Sequence, residues 1–348
     1  MHISEFDYEL PEELIAQQPL AERDASRMLV LDRQHESWID SVFSEFPEYL
    51  RSNDVVVLNN SRVIPARLSG RRAETGGAVE IFLVREIETR IWEALVRPGG
   101  RLKAGVTVLF GDGTLIGELM DEPGHEVRLV RFYCERRFED VLTELGSTPL
   151  PPYIKRPAGD SAGDRERDRE RYQTVYSKTS GAIAAPTAGL HFTSDILAQV
   201  RARASVAEVT LHVGYGTFEP VRVDDVDQHS VSSERFTISS EAAQTINEAR
   251  VNGGRVIVVG TTTMRAVESS ATDAGRVEAK SGDASLTIKP GYRFRTADAL
   301  LTNFHLPRSS LLVLVSAFAG RNLVRRAYAH AVQERYRFYS YGDCMLIL

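Results

Sequence analysis

Three histidines lie in segments whose neighbours are small, turn-forming or hydroxyl-bearing, a composition that lets backbone approach a bound molecule. His191 closes the run Gly181 to Thr193, His212 opens the run to Phe218, and His305 sits within Leu301 to Ser309. An imidazole can give or take a proton near neutral pH. Gly181 and Gly189 permit positive φ or close contact, and Pro186 stiffens the turn. Thr187, Thr193 and free N–H groups offer hydrogen bonds to polar ligand atoms. Each segment alone also reads as a tight buried connection around a satisfied core histidine. Their recurrence predicts one shared pocket.

The elements that must position these loops read as a mixed α/β chain. Pro11 to Gln18 suggests a short helix with proline in its first turn, followed by strands at Met28 to Asp32 and Asp54 to Asn60. From about Leu68 to Tyr133 short β-like runs succeed one another: Ala78 to Val84, Ile91 to Val96, Val106 to Phe110, Leu115 to Leu119 and Val127 to Phe132. That spacing predicts a small antiparallel barrel or sandwich, and residues 67–149 are read as a β-barrel inserted into a discontinuous α/β domain of 1–66 and 150–348. The sign-alternating charges of 158–171 predict a solvated loop or exposed helix start. Ser240 to Val251 reads as a helix. Arg255 to Arg265 reads as a central strand entering a threonine-rich turn and a helix N-terminus, a favoured ligand site in α/β proteins. Neither a GxGxxG nor a GxxxxGK[ST] pattern is present. Leu323, Val324, Ala327, Tyr328, Ala331 and Val332 form a helical apolar stripe. Tyr336 to Asp343 interleaves aromatic and polar residues, as a stacking platform or a packed corner, and Cys344 to Leu348 reads as a buried strand.

A chain of 348 residues favours two domains. Its net charge of −6 argues against a nonspecific nucleic-acid coat but leaves room for a local basic face, with arginine supplying most of the cations. Cys134 and Cys344 stand far apart without metal-ligand spacing, which fits a reducing cytoplasm. The longest apolar run, Leu311 to Ala319, is too short to span a bilayer, and no export signal opens the sequence, so no membrane association is expected.

Six segments together are distinctive: Ala184 to Thr193, Val213 to Phe218, Val259 to Thr262, Thr302 to Pro307, Ser316 to Gly320 and Tyr336 to Asp343. With Phe6 to Pro11, Leu58 to Arg67 and Arg97 to Gly100, they resemble the S-adenosylmethionine:tRNA ribosyltransferase-isomerases of queuosine biosynthesis over essentially the whole chain. The resemblance implies transfer and isomerisation of the ribosyl part of S-adenosylmethionine. The acceptor is the aminomethyl arm of 7-aminomethyl-7-deazaguanine (preQ1) at the tRNA wobble position, and epoxyqueuosine, adenine and methionine are the products. It also implies an α/β domain carrying an inserted barrel, a cytoplasmic monomer and no metal or prosthetic group.

This chemistry needs a base for a proton acidified by a sulfonium, an acid for departing adenine and a dry pocket. His191 and His305 are the expected proton carriers, His212 a positioning or third proton group, and Asp343 and Glu234 orienting carboxylates. Thr187, Thr261 and Thr262 are expected hydrogen-bond donors, with Gly189, Gly216 and Asn303 beside the substrate. Tyr215, Phe192 and Phe304 are expected to cover adenine or the sulfonium. Arg62, Arg67, Arg265 and Arg308 are candidates for holding tRNA phosphates or the methionine carboxylate. The chain departs from the family pattern in His229 to Arg235, where Val231 and Ser232 replace the usual methionine and second histidine. Two other readings compete: a hydrolase with the three histidines as metal ligands, which lacks an HExxH spacing, and a noncatalytic tRNA-binding protein.

Overall fold

The computed structural model describes residues 1–99, 102–124, 126–156, 162–214, 216, 221 and 223–348. The strands in chain order are β1 (Arg27–Asp32), β2 (Ser37–Val42), β3 (Val55–Asn59), β4 (Ser61–Val63), β5 (Arg67–Arg72), β6 (Ala78–Glu88), β7 (Ile91–Arg97), β8 (Thr107–Phe110), β9 (Leu115–Leu119), β10 (Val127–Tyr133), β11 (Thr179–Ala182), β12 (Ser205–Leu211), β13 (Glu234–Ile238), β14 (Val256–Val259), β15 (Lys280–Ala284), β16 (Ala299–Asn303) and β17 (Cys344–Ile347). The α-helices are α1 (Phe138–Leu145), α2 (Ala162–Arg171), α3 (Ser194–Arg203), α4 (Ser240–Val251), α5 (Thr261–Ser270), α6 (Ser310–Ala319) and α7 (Arg321–Gln333). The fold is mixed α/β with a closed barrel, as the sequence predicts.

A nine-stranded sheet runs β15-β13-β12-β3-β14-β16-β17-β1-β2. Its centre, β12-β3-β14-β16, is parallel. β3 and β14 are apolar on both faces, as is β16 as far as Leu301, whereas β12 buries Ala207, Val209 and Leu211 on one face and leaves Val206, Glu208 and Thr210 half-buried on the other. Val55, Val57, Val256 and Val258 join a core shared with α4 to α7, whereas Val56, Leu58, Ile257 and Val259 pack with Phe43, Phe46, Phe192 and α3. Continuous valine-rich runs are what a sheet covered on both sides requires.

The strand directions gather several chain segments at one end of this sheet. β14 and β16 finish there in parallel. β17 is antiparallel to β16, so it begins at the same end, with Asn303 opposite Cys344. β1 runs parallel to β17, which brings Ser26 and Arg27 to that end as well. Gly260, at φ 91°, turns β14 directly into α5 in a backbone conformation few other residues tolerate.

β5 to β10 close a six-stranded antiparallel barrel in the order β10-β7-β6-β5-β8-β9. Its interior holds Leu68, Ile81, Leu83, Ala94, Val108, Phe110, Leu115, Val130 and Phe132, with Phe138, Val141 and Leu142 of α1 packed on the same cluster. Entry and exit of this segment lie side by side, since Arg67 and Ser147 exchange backbone hydrogen bonds.

One expectation changes, and two left open between alternatives are decided. Pro11 to Gln18 gives only one 3-10 turn, Glu12–Leu14, capped by Pro11. Much of 158–171 is the regular helix α2, whereas 157–161 lie outside the described residues. The charges of α2 are tied into the fold rather than simply solvated: Asp168 is buried and accepts two hydrogen bonds from Arg156, at 2.7 and 2.8 Å, and Arg171 donates to the carbonyls of Leu20 and Ala21. The Tyr336 to Asp343 segment is mainly a packed corner, with Phe338 and Tyr336 fully buried around Phe304.

Gly146 ends α1 where the chain leaves the barrel. A Cβ there would lie 2.1 Å from the Pro65 carbonyl oxygen. Gly146→Ala should therefore destabilise the protein by about 1–3 kcal/mol, the scale of overpacking, read as a lower urea midpoint. An unchanged midpoint would show that the Pro65 turn yields freely.

Candidate active site

At the strand ends lies a cavity whose walls enclose about 720 Å³ of space, part of it open to solvent. Three groups of residues form its walls: the Ala184 to Ala188 stretch, the β14–α5 turn with Gly260, Thr261 and Thr262, and the end of β16 from Thr302 to Leu306. Tyr153, Tyr339 and Ser340 complete it. Small side chains in the first stretch open the space. The N-terminus of α5 presents unsatisfied N–H groups and a partial positive charge at the second wall.

Thr187, Thr261, Thr262, Asn303, Phe304 and His305 therefore meet in one place. The His305 Nε2 lies 2.8 Å from the Thr302 hydroxyl, and its backbone N–H donates to the Tyr328 hydroxyl at 3.0 Å. Burial pushes the His305 imidazole down to about 3. The group is neutral at pH 7, so it is not a resident acid as its ordinary value would allow. Tyr153 donates to, or accepts from, Ser340 Oγ at 2.6 Å, and its ring lies 4.6 Å from that of Tyr339. Burial raises the Tyr153 hydroxyl to about 12.

His305 lines the main cavity, whereas His191 and His212 do not. His191 lines a smaller adjoining space of about 280 Å³ with Arg23, Arg171 and Ser26, which shares Ser340 with the main cavity. Its Nδ1 lies 2.9 Å from Ser26 Oγ and its Nε2 3.4 Å from Asn303 Oδ1. Because the Asn303 amide donates to the Tyr339 carbonyl at 2.7 Å, oxygen faces His191 and Nε2 carries the proton. Desolvation lowers His191 to about 4. His191 thus stands behind Asn303. His212 packs over Gly181, where a Cβ would meet its ring at 2.8 Å. It lines none of these spaces, although its neighbour Val213 reaches the main cavity. Burial, and then Arg235, lower its pKa.

The other expected site residues make contacts within the protein. Asp343 accepts from the backbone N–H groups of Arg27 at 3.0 Å and Arg337 at 2.7 Å, so it orients main chain rather than an imidazole. Burial raises its carboxyl despite those bonds. Phe192 is buried among Phe43, Phe46 and Tyr176 on the other face of the sheet and does not line the main cavity. Gly189 is required by Tyr176, whose hydroxyl would lie 2.1 Å from a Cβ. Arg265 donates to Glu234 and to the carbonyls of Leu286, Ser232 and Ala284, which occupies its fork and leaves no bidentate face for a carboxylate. Glu234, Arg265 and Gly216 instead line a neighbouring space of about 500 Å³, which shares Leu311 with the main cavity. Ser232 and Val231, the departures from the family pattern, line that space too. Arg308 is exposed and paired with Asp7. Arg67 pairs with Glu80 at 3.3 Å, and Arg62 is exposed on β4. Tyr215 lies outside the described residues.

Tyr153 is the wall residue that sequence reasoning missed. Its signal was the stiff Pro151-Pro152-Tyr153 run. Among the described residues no group of three or more His, Cys, Asp or Glu is placed to hold a metal ion, so the three-histidine ligand set does not assemble. No helix among them is long and apolar enough to cross a membrane.

A family described as Queuosine biosynthesis protein matches residues 3–347. The chain belongs to this family. It is 47% identical over 349 aligned residues to an S-adenosylmethionine:tRNA ribosyltransferase-isomerase of Desulforamulus reducens, and 48% identical to the one from Symbiobacterium thermophilum, in each case over the full length of both chains. The crystal structure of S-adenosylmethionine tRNA ribosyltransferase from Thermotoga maritima matches with a TM-score of 0.54 and 35% identity, over 99% of this chain and 100% of that one. The family resemblance drawn from the motifs is thereby established.

The depressed imidazoles have a consequence for stability. Both folded pKa values, about 4 for His191 and about 3 for His305, lie below the ordinary histidine value of 6.5. Below 6.5 the unfolded chain binds protons that the folded chain refuses, so this stabilisation is present above pH 6.5 and declines as pH falls toward the folded values. The urea midpoint should drop from pH 7 to pH 5, and His305→Gln should flatten that drop. Identical slopes in the two proteins would show that His305 is not held neutral by burial.

Proposed function

We propose that this chain transfers and isomerises the ribosyl moiety of S-adenosylmethionine onto preQ1 at the tRNA wobble position, giving epoxyqueuosine with release of adenine and methionine. The observation that carries this reading is full-length identity near one half to enzymes so named. S-adenosylmethionine is consumed as a substrate rather than kept as a cofactor. The reading includes no metal or prosthetic group, a cytoplasmic location and a monomer that acts on tRNA. Residues 67–149 are taken as an inserted domain, a division supported by the separate apolar cluster of the barrel.

The chemistry of the main cavity supports these roles. A sulfonium acidifies adjacent C–H bonds and repels a neighbouring imidazolium, so a histidine kept neutral by burial can face it without like-charge cost. His305 is assigned as the base. Thr302 holds its Nε2, and the tautomer in which Nε2–H donates to Thr302 leaves the Nδ1 lone pair for the substrate proton. The α5 N-terminus suits the methionine carboxylate, with the Thr261 and Thr262 hydroxyls beside it. Asn303, fixed by Tyr339 and backed by His191, forms part of the wall beside the substrate. Tyr153 and Tyr339 offer ring faces to a base.

Incubation with S-adenosylmethionine and tRNA carrying preQ1, followed by nucleoside mass analysis, tests donor, acceptor and product together. The expected result is epoxyqueuosine with stoichiometric adenine. Binding of tRNA without adenine release would instead support a noncatalytic protein. His305→Gln should lower kcat roughly a hundredfold, the scale of lost general-base help. His191→Ala should cost less, because its ring reaches the cavity only through Asn303; the reverse ranking would return the proton step to His191.

A further inference from the structure

A second large recess, of about 1440 Å³, runs between the barrel and the segment that returns from it. Four arginines face it, Arg67, Arg97, Arg156 and Arg165, against two acids, Glu80 and Asp168. Both acids are already neutralised. Glu80 pairs with Arg67, and buried Asp168 takes both arms of Arg156. Arg97 and Arg165 are exposed and have no ion-pair partner among the described residues, so the groove carries two uncompensated cations on a chain whose net charge is −6. Anions are drawn to such a recess, and guanidinium forks match phosphate oxygens.

The position of the groove is as telling as its charge. Pro152 and Ile154 line the groove, and Tyr153, between them in sequence, lines the main cavity. One strand of backbone separates the two. A polymer lying along the groove would run past the cavity, and a base turned out of its stack would have only this partition to pass.

We propose that this groove is the docking surface for the sugar–phosphate backbone of the RNA substrate, with Arg97 and Arg165 as its phosphate contacts. The proposal rests on the reading of a tRNA-modifying enzyme and adds where the RNA lies. Phosphate contacts made by arginine give affinity that falls with salt, by about 0.7 in the log–log slope for each single-strand phosphate neutralised.

The test compares the full-length protein with the charge reversals Arg97→Glu and Arg165→Glu combined. A control carries Arg276→Glu and Arg325→Glu, equal in charge change but outside the groove. Binding of preQ1-containing tRNA is measured against salt, alongside turnover. The groove variant should raise the KM for tRNA about tenfold or more and lose about 1.4 from the salt slope, with its melting temperature and its KM for S-adenosylmethionine kept. Arg97→Lys with Arg165→Lys should restore most of the slope. Equal losses in groove and control variants, or a groove variant that binds like wild type, overturn the proposal. If wild type binds tRNA through the groove but produces no modified nucleoside, the docking surface stands and the proposed reaction fails.

Discussion

The central strands β3, β14 and β16 are packed on both faces, and this double burial governs where chemistry can occur. A polar side chain aimed from the middle of such a strand would be desolvated without a partner, at a cost of several kcal/mol. Hydroxyls, amides and imidazoles must wait for the strand to end. Asn59 shows the limit: at the last residue of β3 its amide oxygen accepts from the N–H groups of Ser61 and Leu211, and its amide nitrogen donates to the Leu211 carbonyl. Beyond that line the chain is free to offer Gly260, Thr261, Thr302 and Asn303 to the cavity. The reversal of β17 relative to β16 then supplies Tyr339 and Ser340 from the opposite direction.

The same economy of burial sets the state of the histidines. An imidazole withdrawn from water and given no carboxylate stays neutral, and among the described residues neither His191 nor His305 has an acidic hydrogen-bond partner. Orientation comes from neutral groups, Ser26, Asn303 and Thr302. For a substrate that is itself a cation, this arrangement replaces attraction by a fixed carboxylate with the absence of repulsion, and leaves the positive charge on the substrate where its chemistry uses it.

Much of this was legible in the residues. The barrel runs, α4, α7 and the β14–α5 turn follow from apolar periodicity and from glycine at the strand end. The threonine-rich turn reads as a ligand site from sequence, and Gly260, Thr261 and Thr262 line the main cavity. Elements whose form depends on distant partners were not legible. β15, Lys280 to Ala284, is polar and exists because it pairs with β13; β16 hides within a segment read as a loop. Asp343 and Arg265 illustrate the harder problem. Their residue types suggested catalysis, but side-chain bonds to backbone far along the chain have consumed their hydrogen-bonding capacity. Sequence gives a side chain's capacity, whereas packing decides how much is left over.

The two outermost strands of the large sheet deserve a last comparison. β2 presents Ser37 and Asp40 to solvent, and β15 presents Lys280, Ser281 and Asp283. Charge and hydroxyl on a border strand discourage edge-to-edge addition of another polypeptide. The β15 border is therefore unsuited to templating aggregation, whereas β2 mixes Ser37 and Asp40 with exposed Ile39 and Val42, so the two ends of the nine-stranded sheet are guarded unequally.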